Sequence, residues 1–450
     1  MADVLDGVDE LLISSRGPRD AVFGRGSIDS REARQGDLFF ALRGERSDGH
    51  NFVTQALAAG AAGVVVERPI EAPDSACQFH VSNSLGALQM LAAHWRRRHD
   101  ARVIGVTGSV GKTTCKELIA GVLGRRYNVL KSEANLNTEI GIPLTLLQLR
   151  DEHERAVLEM AMYQRGDIAL LAKMSAPHVG VVTKIGPVHL ERLGTMGAIV
   201  AAKAELVEAL PADGLAVLNG DDTRVASFAG RTRARPVFFG LSERCLVRAE
   251  NVVSHGLNGI SFRLVAGGTA ADVRCPLPGR HHVYPALAAA AVALNEGLEL
   301  QEVADALAEA RADLRLTQRR GPNGSTIIDD SYNASPDSML AALDLLGECG
   351  GRRIALLGGM RELGAATAEG NRRVGERAAS RIDIMLVVGE EARAMGVAAS
   401  AAGLRAVRFL ESAEEAAESL RSELRAGDHL LIKASRAIGL ESAVEALVEK

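Results

Sequence analysis

Val103-Ile104-Gly105-Val106-Thr107-Gly108-Ser109-Val110-Gly111-Lys112-Thr113-Thr114 is the stretch from which the rest of the chain is read. A short apolar run of buried-strand type leads into a glycine-rich turn, and a helix is expected to open behind it. Glycine lets the backbone curl until successive N–H groups face phosphate oxygens, and the helix N-terminus adds partial positive charge. Lys112 then reaches the β- and γ-phosphates of ATP, and the Thr113 hydroxyl suits Mg²⁺. Thr107, Gly108, Ser109, Val110, Gly111, Lys112, Thr113 and Thr114 are therefore the candidate nucleotide-binding residues. The general phosphate-loop pattern asks for glycine where Val106 stands. Here the glycine is one place earlier, at Gly105, so the loop is a variant.

Outward from this loop, strand-type runs at 156–158, 179–182 and 215–218 alternate with helical stretches, which implies a parallel sheet covered on both faces. From 247 to 273 the apolar period changes to two, with glycines, as in β-hairpins. Residues 285–298 read as an alanine-rich helix. A third unit begins near Asp313, where runs at 326–329, 354–357, 384–388 and 429–432 again alternate with helices, as in an open Rossmann-like sheet. Ahead of the loop, apolar runs at 37–42 and 61–66 flank an alanine-rich helical stretch. Asn83 or Ser84 is suited to cap a helix whose Leu85, Leu88, Leu91, Ala92 and Trp95 share helical spacing. The expected architecture is α/β in three domains. These are a small one over 1–84, a central P-loop, ATPase-like parallel-sheet domain over 85–312, and a Rossmann-like one over 313–450.

Composition narrows the function. With 47% hydrophobic residues among 450, the chain has material for several cores. Aromatic residues are 3% with a single tryptophan, which argues against base-stacking platforms. The formal charge of −5 lacks the basic field of a nucleic-acid binder. The most basic short run, 94–99, ends an expected helix, where cations complement the helix dipole. Cys77, Cys115, Cys245, Cys275 and Cys349 show no CxxC spacing, so neither zinc nor a disulfide framework is expected, and a reducing cytoplasm is. The N-terminus has no signal-peptide pattern, and no run approaches the ~18 apolar residues of a membrane span.

A phosphate loop needs a carboxylate for its metal, and Glu159, directly after the run at 156–158, is placed to supply one. His189, in Thr183-Lys184-Ile185-Gly186-Pro187-Val188-His189, is a second metal candidate; a packed, hydrogen-bonded histidine is the plainer alternative.

Set in order, these segments resemble the Mur ligases, the family that builds the peptidoglycan peptide stem and is related to the folylpolyglutamate synthetases. The loop is one match. Ser132-Glu133-Ala134-Asn135-Leu136-Asn137-Thr138, Thr183–Leu190, Pro278-Gly279-Arg280-His281 and Lys433-Ala434-Ser435-Arg436 are others. Asp329-Asp330-Ser331-Tyr332-Asn333-Ala334 is the most specific, and resembles the branch that adds D-alanyl-D-alanine. The first unit, with Ser27–Arg31, Gly36–Phe39 and Ser47–His50, resembles the family's uridine-nucleotide domain.

The resemblance implies a monomeric cytoplasmic enzyme of peptidoglycan precursor synthesis. It would use ATP and Mg²⁺ to join two small-molecule substrates, UDP-MurNAc-tripeptide and D-Ala-D-Ala, through an acyl phosphate, with no nucleic acid or membrane as partner. It assigns catalysis to Lys112, Glu159, His189 and Lys203, and Mg²⁺ to Thr113, Glu159, His189 and a carbamylated Lys203. Read without the family, Lys203 is a helix-surface lysine. His281, Asp330, Tyr332, Asn333 and an arginine, Arg319 with Arg320 as the competing choice, would join the nucleotide site. Ser30, Arg31, Asp48, Gly49, His50, Asn135, Asn137 and Thr138 would bind substrate.

The chain departs from the family pattern at several places. His282 and Pro285 replace asparagines near adenine, Lys184 replaces asparagine, Gly359 replaces aspartate and Ala434 replaces glycine. The sister enzyme that adds the third amino acid should carry Asp-Tyr-Ala-His-x-Pro and Asn-Pro-Arg blocks, and neither is present. A nucleotide-binding switch without ligase activity would need neither the third α/β unit nor the first.

Overall fold

Continuous apolar runs such as Val179–Val182 and Leu215–Asn219 cannot leave a face in water, and in the computed structural model both are buried along their whole length. The structure describes residues 1–44, 47–310 and 316–449. Among them the strands form sheets of five, nine and six members, one for each expected unit. The expected boundary between 312 and 313 lies outside the described residues.

The first sheet contains β1 (Leu12–Arg16), β2 (Gly26–Ser27), β3 (Leu38–Phe40), β4 (Gly63–Val66) and β5 (Cys77–Val81), in the order β1-β5-β4-β3-β2. Only β1 runs antiparallel to its neighbour here. β1 and β5 escape an apolar-run search because β1 is mostly exposed and polar, and β5 interleaves Gln78 and His80.

The helix Ser84–Arg97 leads to the central sheet, capped by the Asn83 side chain, which accepts from the Gly86 N–H at 2.8 Å. Its first half packs Ala87, Leu88 and Leu91 into the first core, and Ala92 enters the central one. The basic run at its end does more than complement a dipole. Arg96 is buried and donates to the carbonyls of Ser175 at 3.0 Å and His99 at 2.7 Å.

The central sheet holds β6 (Arg102–Thr107), β7 (Val129–Lys131), β8 (Arg155–Glu159), β9 (Val179–Val182), β10 (Leu215–Asn219), β11 (Arg235–Gly240), β12 (Val247–Ser254), β13 (Ile260–Ala266) and β14 (Thr269–Cys275). Its order is β14-β13-β12-β11-β10-β9-β6-β8-β7, parallel from β7 through β12, with β13 and β14 added as an antiparallel meander. That meander is the expected period-two stretch. The alanine-rich helix spans Val283–Asn295, ending short of the expected 298. Pro285 is tolerated in its first turn, where an N–H has no intrahelical partner to lose. Small side chains on this helix allow close packing against Lys112–Leu123 on one face of the sheet.

The third sheet contains β15 (Thr317–Arg320), β16 (Thr326–Asp329), β17 (Arg353–Gly358), β18 (Ile384–Val388), β19 (Ala406–Leu410) and β20 (His429–Lys433), in the order β15-β16-β20-β17-β18-β19. It is parallel except for β15, and a separate apolar core covers each face. Gly108–Gly111, Glu159 and Asn219 sit at the carboxyl ends of central strands, and Asp329–Asp330 and Lys433 at those of the third sheet. The two sets of strand ends face each other across one cleft of about 1460 Å³.

Candidate active site

The phosphate loop lies at β6, where the central strand order reverses. Its shape follows from two glycines with positive φ, Gly108 at 146° and Gly111 at 85°. A Cβ on Gly108 would fall 1.9 Å from Thr183 Oγ1, so only glycine fits there. The loop is tied to the next strand end: Ser109 N–H donates to the Lys184 carbonyl at 2.6 Å, and the Thr183 hydroxyl to the Val110 carbonyl at 2.7 Å. Lys112 opens the helix, and its Nζ donates to the Gly108 carbonyl at 3.0 Å.

Glu159 is buried, and each carboxylate oxygen has a donor. The Thr113 hydroxyl lies 2.8 Å from Oε2, and Asn137 Nδ2 lies 2.9 Å from Oε1. Its own N–H donates to Ser132 Oγ at 3.0 Å. The carbonyl of Ser132 in turn accepts from the buried Lys116 ammonium at 2.5 Å. Lys203 is buried nearby rather than at the surface. Burial pushes its amine well below the ordinary lysine range; the Lys112 charge pushes the same way, and Glu159 opposes. The Thr113 hydroxyl and the Glu159 carboxylate are oxygen donors of the kind Mg²⁺ takes, and the Lys203 amine is held towards its neutral form nearby.

The third sheet supplies the opposite wall. Lys433 is buried, paired with Asp330 at 2.6 Å and donating to the Asn333 carbonyl at 2.8 Å. Arg436 lies over the Tyr332 ring at 5.1 Å. Contacts cross the cleft, among them Lys184 with Asp337 at 2.9 Å and His189 Nδ1 with the Glu362 carboxylate.

Comparison with known proteins accords with this geometry. Residues 106–293 match the Mur ligase middle domain, 314–436 the Mur ligase glutamate ligase domain, and 26–96 the Mur ligase family catalytic domain. A UDP-N-acetylmuramoyl-tripeptide--D-alanyl-D-alanine ligase from Synechocystis is 40% identical, over 93% of this chain and 91% of its own length. The chain belongs to the Mur ligase family. Among solved structures, a MurF from Acinetobacter baumannii superposes with a TM-score of 0.89 at 31% identity, covering 100% of this chain and 98% of its own. The Thermotoga maritima MurF in complex with ADP gives 0.82 at 30%, covering 95% and 98%.

In this Mur ligase, Ser109 through Thr114, Asn135, Asn137, Thr138, Glu159, His189, His281, Asp330, Tyr332 and Asn333 all line the cleft. Thr107 lies behind it, buried, with its hydroxyl on the Met160 carbonyl at 2.9 Å. Arg319 is on the edge strand β15, 3.5 Å from Asp329, and Arg320 pairs with Glu449 at 2.9 Å; neither is in the described lining of the cleft.

The expected substrate residues of the first domain lie apart from the cleft. Ser30 Oγ donates to Gln55 at 3.0 Å, and the exposed Arg31 pairs with Asp29 at 2.5 Å. Asp48, Gly49 and His50 form a short turn of the Mur ligase's first domain. His50 Nε2 accepts from the Glu67 N–H at 2.8 Å, so its Nδ1–H donates to Asp48 at 2.6 Å.

The departures have local counterparts. His282 lies against His281, with ring centroids 4.1 Å apart, and its Nδ1 bonds the Pro278 carbonyl at 2.6 Å. Burial lowers His282 to about 4, and pushes His281 well below the ordinary histidine range. A Cβ on Gly359 would lie 2.9 Å from Glu391 Oε2, so in this ligase Glu391, paired with Arg361, fills that space. The Ala434 methyl group occupies the room left by Gly358, where a Cβ would come within 2.7 Å. Lys116, Glu362 and Asp337 were not predicted as site residues. Each is an ordinary charged residue in sequence, and only tertiary contact distinguishes it.

Proposed function

We propose that the chain joins D-alanyl-D-alanine to the terminal carboxylate of UDP-MurNAc-tripeptide, converting ATP to ADP and phosphate. The observation carrying this reading is the single cleft in which a phosphate loop and the Asp330–Asn333 block face each other. Relatives named for that reaction span nearly the whole chain. The tripeptide carboxylate attacks the γ-phosphorus of ATP, giving an acyl phosphate and ADP. The dipeptide amine then attacks the acyl carbon, phosphate leaves, and the amine's extra proton goes to solvent or base. A carboxylate is a poor electrophile, and phosphorylation supplies its leaving group.

Lys112 and the loop N–H groups hold the phosphates and offset their charge. Thr113, Glu159, His189 and a carbamylated Lys203 are the residues to hold Mg²⁺, which when bound supplies charge neutralisation to the phosphate oxygens. Ser30, Arg31 and the 48–50 turn belong to the domain assigned to the uridine nucleotide. The domain limits of 1–84, 85–312 and 313–450 are part of this proposal, as is action as a monomer in the cytoplasm. The free cysteines support a reducing compartment, and among the described residues no helix is long and apolar enough to cross a membrane.

The test is phosphate release from ATP with UDP-MurNAc-tripeptide, with and without D-Ala-D-Ala. Release should depend on the dipeptide; release that ignores it would refute the ligase reading.

A further inference from the structure

His189 and Glu362 meet across the cleft from different domains, and both have left-handed backbones, with φ of 55° and 64°. Neither is glycine, so each conformation costs free energy unless its surroundings enforce it. The contact is reinforced by the backbone, where Glu191 N–H donates to the Glu362 carbonyl at 3.2 Å. Gly364 packs so closely that a Cβ on it would lie 3.1 Å from Glu191 Cα. The Tyr163 ring packs edge-to-face with His189, with centroids 5.6 Å apart. A carboxylate can only accept, so the Nδ1 facing Glu362 carries the proton, and in the neutral ring Nε2 then keeps its lone pair.

We propose that Glu362, delivered by the C-terminal domain, is a positioning residue that fixes the tautomer and direction of the His189 ring, so that Nε2 is presented to the cleft only while the two domains are together. The site on the central domain is thus completed by the third domain. The catalytic consequence rests on the ligase reading; the tautomer does not, and the two are tested separately.

Protein labelled with ¹⁵N-histidine, its His189 signal assigned with His189→Gln, reads the tautomer without any ligand. The wild type should show His189 protonated at Nδ1, and Glu362→Ala should shift it to the Nε2-protonated form that is the default of free imidazole. Glu362→Gln, whose amide oxygen still accepts, should keep the wild-type form. Kinetically, Glu362→Ala should lower kcat about 10–100-fold, the range for losing a carboxylate behind a ligating histidine, with Glu362→Gln recovering most of the loss. An unchanged His189 signal in Glu362→Ala would overturn the proposal whether or not the protein ligates. So would a Glu362→Gln as impaired as Glu362→Ala in both measurements. Matching thermal melts for all variants are the check on folding, expected because Glu362 is about one-third exposed.

Discussion

Lys203 shows how one side chain can change meaning once its surroundings are known. Its sequence setting, Ala201-Ala202-Lys203-Ala204-Glu205, is that of a surface lysine, yet the structure buries it. A buried ammonium is costly, and the amine responds by favouring its neutral form. That neutral form is what carbamylation by CO₂ requires. Lys203→Ala should therefore lose about 10²-fold or more in phosphate release, and short carboxylates such as formate or acetate should restore part of it; full activity in the variant would refute the carbamate role. Lys203→Met should be equally inactive but more stable at neutral pH, by on the order of 1 kcal/mol, as read by urea unfolding. The trade would mark this lysine as kept for chemistry at the expense of stability.

At the scale of elements, the turn Arg280–His282 and the helix behind it pack two histidines against each other, both pushed below the ordinary histidine range by burial. His282 is lowered from 6.5 to about 4 by burial, against the opposing bond to the Pro278 carbonyl. For a base whose folded value is depressed, stability is complete above pH 6.5. It falls as the pH drops towards 4, because the unfolded chain takes up the proton first. Up to about 3 kcal/mol is at stake. Denaturant unfolding at pH 7 and pH 4.5 should show this slope. His282→Asn should flatten but not abolish it, since His281 is depressed as well; an equal slope in both proteins would refute the assignment. Strands such as β6, β9, β10, β17 and β18 were readable in advance because their apolar residues form continuous runs, whereas buried β5, with Gln78 and His80 between its apolar residues, was not. β1 and β19 were not, because edge strands need little apolar surface and carry polar residues on most positions.

Across the whole molecule, the central and third domains meet through polar contacts at the cleft and a little apolar packing, Ala366 against the central core and Leu257 against the third-domain core. Lys184–Asp337, with Arg373 3.4 Å from the same aspartate, is one of the polar contacts. Partly exposed pairs of this kind are individually weak, so the closed arrangement should predominate only modestly in the free protein and tighten on ligands. Small-angle scattering should show a smaller radius of gyration when ATP analogue, UDP-MurNAc-tripeptide and D-Ala-D-Ala are all present than in the free protein. Asp337→Ala should widen the free form further, and superimposable curves in all conditions would count against coupling of closure to binding. The phosphate loop, the alternation that makes parallel sheets and the motif blocks at strand ends are legible from residues alone, since each depends on residues close together in the chain. Tertiary structure alone decided that Lys203 is buried, that Arg319 stands on an edge strand outside the cleft lining, and that Glu362 reaches His189. Burial and pairing between residues 173 apart depend on how separate domains come together, and no local pattern of residues records that. The phosphate loop itself was legible throughout, but the partners that hold it in place, Thr183 and Lys184 from the next strand, became visible only when β6 and β9 were side by side.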